Sequence, residues 1–166
     1  MRRLLPAAAL LLLTGCAALN PVAALQEAGR QLHFSLDRVE PRLELAFPLD
    51  QSRLVLKMDL GVDNPTDYRL RTRKVGGAVK LQQAGAEHAI GSVAFPVGMD
   101  LAPKGRSTLV TEVALTYADV KAAWNPLKDA VLKREPATWK LAGEARFEAL
   151  GFEFGVPFNA SKSTGK

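Results

Sequence analysis

Residues Arg53 to Asp63, RLVLKMDLGVD, place Leu54, Leu56, Met58, Leu60 and Val62 on one face and Arg53, Lys57, Asp59, Gly61 and Asp63 on the other, with Val55 the exception. Successive side chains of a strand point to opposite faces, so a period of two puts one face in a core and the other in water. Thr138 to Glu148 repeats the pattern, with Trp139, Leu141, Ala145 and Phe147 inward. After Ala149-Leu150-Gly151, residues Phe152, Phe154, Val156 and Phe158 alternate again, which predicts a carboxyl-terminal hairpin. Further strands at Leu43 to Phe47, Tyr68 to Gln82 with a break at Gly76-Gly77, Ala89 to Phe95 and Arg106 to Leu115 bring the total to about seven.

One segment has a different period. From Thr116 to Lys133, Val120, Trp124, Leu127 and Val131 fall at helical spacing, and Thr116 with Asp119 forms a candidate capping pair. Pro126 cannot donate an internal helical bond, which predicts either a kink or two short helices with Asn125 capping the second. Antiparallel strands with a single helical crossover predict an all-β sandwich rather than alternating βαβ units.

The amino end is organised differently. Met1-Arg2-Arg3 is positive, Leu4 to Leu13 is apolar, and Leu13-Thr14-Gly15 precedes Cys16, the one cysteine of the chain. This is the layout of a secretory signal, and its apolar run is too short for a comfortable membrane span. Leu-Thr-Gly-Cys resembles a bacterial lipobox, which implies that Cys16 becomes the lipid-bearing first residue of the mature protein. Two or more acyl chains give stable anchoring. The expected organisation is a signal peptide over 1–15, a lipidated tether over 16–31 with a short amphipathic helix within Ala23 to Ala28, a sandwich over 32–159 and a polar tail over 160–166. Removal of 1–15 lowers the formal net charge from +5 to +3, so the basic composition argues little for nucleic acid. With Cys16 committed to lipid, no internal disulfide is expected.

At Asp63-Asn64-Pro65-Thr66 the alternating strand stops, because proline removes a ladder donor and the asparagine side chain can close a turn. Then come Tyr68-Arg69-Leu70, a valine-bearing strand, a glycine-bearing turn, Ala94-Phe95-Pro96-Val97 and Lys104-Gly105 before a Thr/Val strand. The series ends in Trp139-Lys140-Leu141-Ala142-Gly143 and Val156-Pro157-Phe158. This order, over roughly Leu32 to Asn159, resembles the late embryogenesis abundant group 2 family, also called the water stress and hypersensitive response domain. The family's usual motif is Asn-Pro-Asn, and Thr66 stands here in its third position. The resemblance implies an immunoglobulin/fibronectin type III-like antiparallel β-sandwich, a role in desiccation or stress protection, no cofactor and no catalytic residues to carry over.

The residues themselves agree in offering little to an enzyme. His33 and His88 are the only histidines and stand at no metal-ligand spacing. Ser35, Ser52, Ser92 and Ser107 lie in no nucleophile elbow, and Glu44, Asp50 and Asp59 read as solvated carboxylates. Arg69, Arg71 and Arg73 form a cationic row, with neighbours about 7 Å apart on one strand face. Two readings of that row stand: contact with anionic lipid on the anchoring membrane, or a charged strand kept from edge pairing, with Glu87 or Glu112 neutralising it. Two functions remain open: a non-catalytic stress-protective lipoprotein of the bacterial envelope, or a module binding lipid, glycan or an envelope protein. Ala17, where an aspartate would retain the protein at the inner membrane, points to a periplasm-facing outer-membrane location.

Overall fold

A computed structural model of the chain describes residues 21–149 and 151–165; the signal peptide and Cys16 expected from the sequence lie outside them. The elements run α1 (Pro21–Arg30), β1 (His33–Glu44), β2 (Arg53–Asp63), β3 (Leu70–Gln83), β4 (Ala86–Phe95), β5 (Asp100–Leu101) and β6 (Arg106–Thr116). Then follow α2 (Tyr117–Val120), α3 (Trp124–Leu132), β7 (Ala137–Ala149) and β8 (Phe152–Thr164). One sheet has the order β1-β2-β6; the other has β4-β3-β7-β8, with β5 beside β3. All pairings are antiparallel. Seven long strands thus form an antiparallel β-sandwich, as the alternation predicts, and their sheet orders are those of the fibronectin type III arrangement that the resemblance implies.

The alternating faces meet as expected. Leu54, Leu56, Met58, Leu60 and Val62 of β2 are fully buried against Trp139, Leu141, Ala145 and Phe147 of β7 and Val156 and Phe158 of β8. Val55 is buried too, although it lies on the other face of β2. The edges of the two sheets approach at both seams: Phe34 stacks on Phe158 at 4.6 Å, and Thr111 Oγ1 donates to Ala94 O at 2.9 Å.

Four boundaries differ from the sequence reading, each for a local reason. The first strand starts at His33 and ends at Glu44, so Leu45 to Phe47 lie in a loop. A register shift between Leu36 and Arg38 adds one residue, so Leu36 and Val39 both face the core although three apart, and the period of two is hidden. β3 does not break at Gly76-Gly77. There β3 and β7 come so close that a Cβ on Gly77 or Gly143 would run into the opposite backbone, which makes glycine a requirement of pairing. β8 continues through the expected tail to Thr164, its residues 160–164 pairing with 137–141 of β7. Finally, α1 extends past the expected Ala23 to Ala28, with Ala28 buried and Gly29 packed so tightly that a Cβ would lie 2.8 Å from the Phe154 ring. Residues 21–30 are therefore a docked helix rather than an extended tether.

The crossover is two helices joined by a 3-10 turn over Lys121–Ala123. Thr116 N donates to Asp119 Oδ2 at 2.8 Å and Asp119 N to Thr116 Oγ1 at 3.4 Å, a complete capping box. The Thr116 bonds hold the Asp119 carboxyl below its ordinary range. Pro126 sits in the first turn of α3, where its missing N–H costs nothing, so the break falls before it and Asn125 lies inside the helix rather than capping it. Val120, Trp124 and Leu127 are buried and Tyr117 meets Trp124 edge-on at 4.9 Å, closing one end of the sandwich.

Candidate functional site

Asn64 ends β2 inside the protein, only 2% exposed. Its Nδ2 donates to Tyr68 O at 2.7 Å and Ala102 O at 2.9 Å, and its Oδ1 accepts from Thr66 N at 3.1 Å and Thr66 Oγ1 at 2.7 Å. Its backbone N donates to Gly105 O at 2.8 Å. Pro65 turns outward, and Lys104 Nζ reaches Pro65 O at 2.6 Å. One side chain therefore ties the β2–β3 connection to the β5–β6 connection, and its hydrogen-bonding capacity is spent on backbone and Thr66. Thr66 Oγ1 in turn accepts from Tyr68 N at 3.3 Å, the weak turn bond a threonine can make in this position. Asn64 and Pro65 thus hold the fold and present no free polar group for chemistry.

Arg69, Arg71 and Arg73 are exposed at the same end of the sandwich, and the protein answers them itself. Arg69 Nε lies 3.4 Å from Asp100 Oδ1 and Arg71 Nη2 lies 3.3 Å from Asp100 Oδ2, while Arg73 Nε lies 2.5 Å from Glu148 Oε2. Arg69 precedes β3, and a register shift between Thr72 and Lys74 sets Arg73 apart, so the three are not a regular row. Glu87 is engaged elsewhere, by Lys80 at 2.7 Å and Lys140 at 3.0 Å, which hold its carboxyl below the ordinary range. Glu112 is on the opposite sheet. Pairs this exposed are screened by water and add little to stability.

The remaining chemical candidates do not converge. Glu44 bonds Arg42 and Arg53, and Asp59 pairs with Arg38 at 3.1 Å, its Oδ1 buried without a partner. Arg106 bridges Asp37 and Asp63 above Gly61, and its hydrogen bond is the main cause that keeps the Asp37 carboxyl below its ordinary range. Among the described residues no cluster of His, Cys, Asp and Glu is placed to hold a metal ion, and no helix is long and apolar enough to cross a membrane.

The sequence reading missed one feature outright. In the loop between β1 and β2, Leu45, Phe47 and Leu49 are 57%, 97% and 43% exposed. The loop is closed on buried Ser52: Ala46 N donates to Ser52 Oγ at 2.9 Å, Ser52 N to Leu49 O at 3.0 Å and Gln51 N to Pro48 O at 3.1 Å. Tyr117 N donates to Ser52 O at 2.9 Å, fixing the loop to α2. Its apolar side chains are therefore held outward on a bonded support. The signal was present as Leu45-Ala46-Phe47-Pro48-Leu49, a run whose apolar content resembled a strand end.

These features define a class: a fibronectin type III-like sandwich with a helical crossover, a saturated asparagine turn at one end and an apolar loop at the other. No family model matches the chain, and no curated protein matches it. Among solved structures it is similar to a protein of Arabidopsis thaliana, at 18% identity over 80% of each chain with a TM-score of 0.47. Another similar structure is provisionally described as a late embryogenesis abundant protein; it is 14% identical over 89% of this chain and 75% of that one, with a TM-score of 0.46. A protein from Archaeoglobus fulgidus is 12% identical over 80% of this chain and 98% of that one, with a TM-score of 0.44.

Proposed function

We propose that this chain is a non-catalytic lipoprotein of the bacterial envelope, tethered through Cys16, facing the periplasm from the outer membrane and acting in protection against water loss. The observation that carries the reading is the Asn64 turn. The turn at which the resemblance to the water stress domain becomes recognisable also holds the fold, with both polar atoms of the Asn64 side chain committed inside the protein. A domain that works by persisting rather than by turnover needs such closed hydrogen bonding more than it needs a reactive cleft. Anionic lipid contact by Arg69, Arg71 and Arg73 would have to compete with Asp100, shared by Arg69 and Arg71, and with Glu148, which pairs with Arg73.

The experiment combines acylation with survival. Cells growing on an alkyne fatty acid should incorporate it into the wild-type chain and not into Cys16→Ser, and deleting the gene should lower viability after drying, restored by wild type alone. Unlabelled wild-type chain removes the anchor; undiminished survival of the deletion strain removes the protective role. A second reading, an assembly module of the envelope, is favoured by the Leu45–Leu49 loop, since apolar side chains displayed on a rigid support are a common docking device.

A further inference from the structure

We propose, resting on the Cys16 anchor, that the sandwich stands on the bilayer with its Asn64 end against the phospholipid surface, touching it through Tyr68, Val97 and Phe152, and holds the Leu45–Leu49 loop away. Large apolar side chains are costly to leave in water, and these three are 46%, 69% and 59% exposed. They come from separate segments and meet at one end. Tyr68 lies two residues before β3, and Phe152 opens β8, two strands or about 10 Å across the same sheet. Val97 precedes Gly98, which packs so close to β3 that a Cβ would lie 2.1 Å from Thr72 O. Tyrosine suits the headgroup level, its ring toward hydrocarbon and its hydroxyl wet, and phenylalanine and valine bury apolar surface beside it.

The chain itself brings this end to lipid. Within α1, Gly29 packs on Phe154 and Val156, and Ala24 faces a hollow shared with Pro65, Asp67, Tyr68 and Lys104. Pro21 is three residues before Ala24, about 5 Å along the helix. Cys16 precedes Pro21 by five residues, at most about 18 Å of extended chain. Since β1 sets the two ends roughly 40 Å apart, acyl chains on Cys16 draw the Asn64 end, not the loop end, to the bilayer. Charge agrees in sign. Asp100 serves both Arg69 and Arg71, and Lys74 forms no ion pair among the described residues; against them stands Glu153, also without one, so this rim keeps one positive charge in excess. That surplus suits an anionic headgroup layer, and its small size leaves the contact to the apolar side chains.

The test places a polarity-sensitive nitrobenzoxadiazole label on Val97→Cys, on Phe152→Cys or, at the far end, on Phe47→Cys; an acylated Cys16 leaves the new thiol alone. Chains purified from membranes are reconstituted in vesicles of phosphatidylethanolamine and phosphatidylglycerol. Labels at 97 and 152 should brighten at least about twofold and be quenched by brominated lipid, and the label at 47 should do neither. Tyr68→Asp with Val97→Asp should undo the brightening at 152, and near-native thermal unfolding checks that these exposed changes leave the fold intact. The mature chain carrying Cys16→Ser has no anchor; in excess vesicles it should brighten in the same order, 97 and 152 above 47. If it stays dim while the acylated chain brightens, the contact stands and depends on the local concentration that the tether supplies. An acylated chain whose labels at 97 and 152 stay dim, or whose label at 47 brightens as much, overturns this orientation and leaves the anchor standing. A wild-type chain that carries no acyl group removes the anchor instead, and the surface then stands only if the unanchored chain brightens at 97 and 152.

Discussion

When a buried asparagine is cut back to alanine, the groups it served keep their polarity and lose their partner. In Asn64→Ala the carbonyls of Tyr68 and Ala102 lose donors, and Thr66 N and Oγ1 lose an acceptor. At about 1–3 kcal/mol for each group left unsatisfied, and with partial relaxation toward water, a loss of about 3 kcal/mol is expected. Urea unfolding should show it as a midpoint lower by about 1–2 M, whereas Pro65→Ala, at an exposed position, should move the midpoint little. Asp37 makes a different demand, on pH. The Arg106 hydrogen bond holds its folded value below the ordinary 3.8, so its contribution is complete above that value and disappears as pH falls through the lower folded one. Stability measured from pH 5 to pH 2 should therefore fall less steeply in Arg106→Gln than in wild type, and parallel curves would show that the cluster adds no such dependence.

Between elements, the same substitution has opposite weights at two glycines. A Cβ on Gly61 would meet the ends of the Arg106, Asp37 and Ser35 side chains, which can swing away, so Gly61→Ala should cost under about 1 kcal/mol. A Cβ on Gly143 would meet the backbone of Gly76 and Gly77, so Gly143→Ala must part β3 from β7 and should cost more than about 3 kcal/mol, read as loss of the cooperative melt at moderate temperature. These positions also explain what the chain disclosed beforehand. β2, β7 and the start of β8 were legible because nothing interrupts their alternation. β1 was obscured by its extra residue at Asp37, and β3 by glycines that look like a stop and act as a contact. The Asn64-Pro65 turn and the Thr116–Asp119 cap were legible because both are local. The partners of the arginines were not, since Asp100 and Glu148 arrive from distant strands and β5 is two residues long.

Across the whole molecule, both seams of the sandwich are shut, one by Phe34 against Phe158 and the other by Thr111 on Ala94, so contact surfaces fall to the two ends. Those ends are set apart by β1, whose 12 residues span roughly 40 Å from the His33–Asp63 pair to the Glu44–Arg53 pair. The end carrying the apolar loop depends on the last third of β8, although its sequence, Ala160-Ser161-Lys162-Ser163-Thr164, has little apolar content. Those residues supply the outer partner of β7 from Ala137 to Leu141, bury Ala160, and place Thr164 Oγ1 3.1 Å from Trp139 Nε1. Trp139 is fully buried, so ending the chain at Asn159 opens its indole and a little over a third of the outer edge of β7 to water. The expected cost is about 4 kcal/mol, a large part of the stability of an ordinary domain, and corresponds to a melting temperature lower by about 8–16 °C. Tryptophan fluorescence reads it directly, with a red-shifted folded baseline from Trp139. An unchanged melt would mean that these five residues are carried by the sandwich rather than holding it; a lowered one makes them part of what holds this end of the sandwich together.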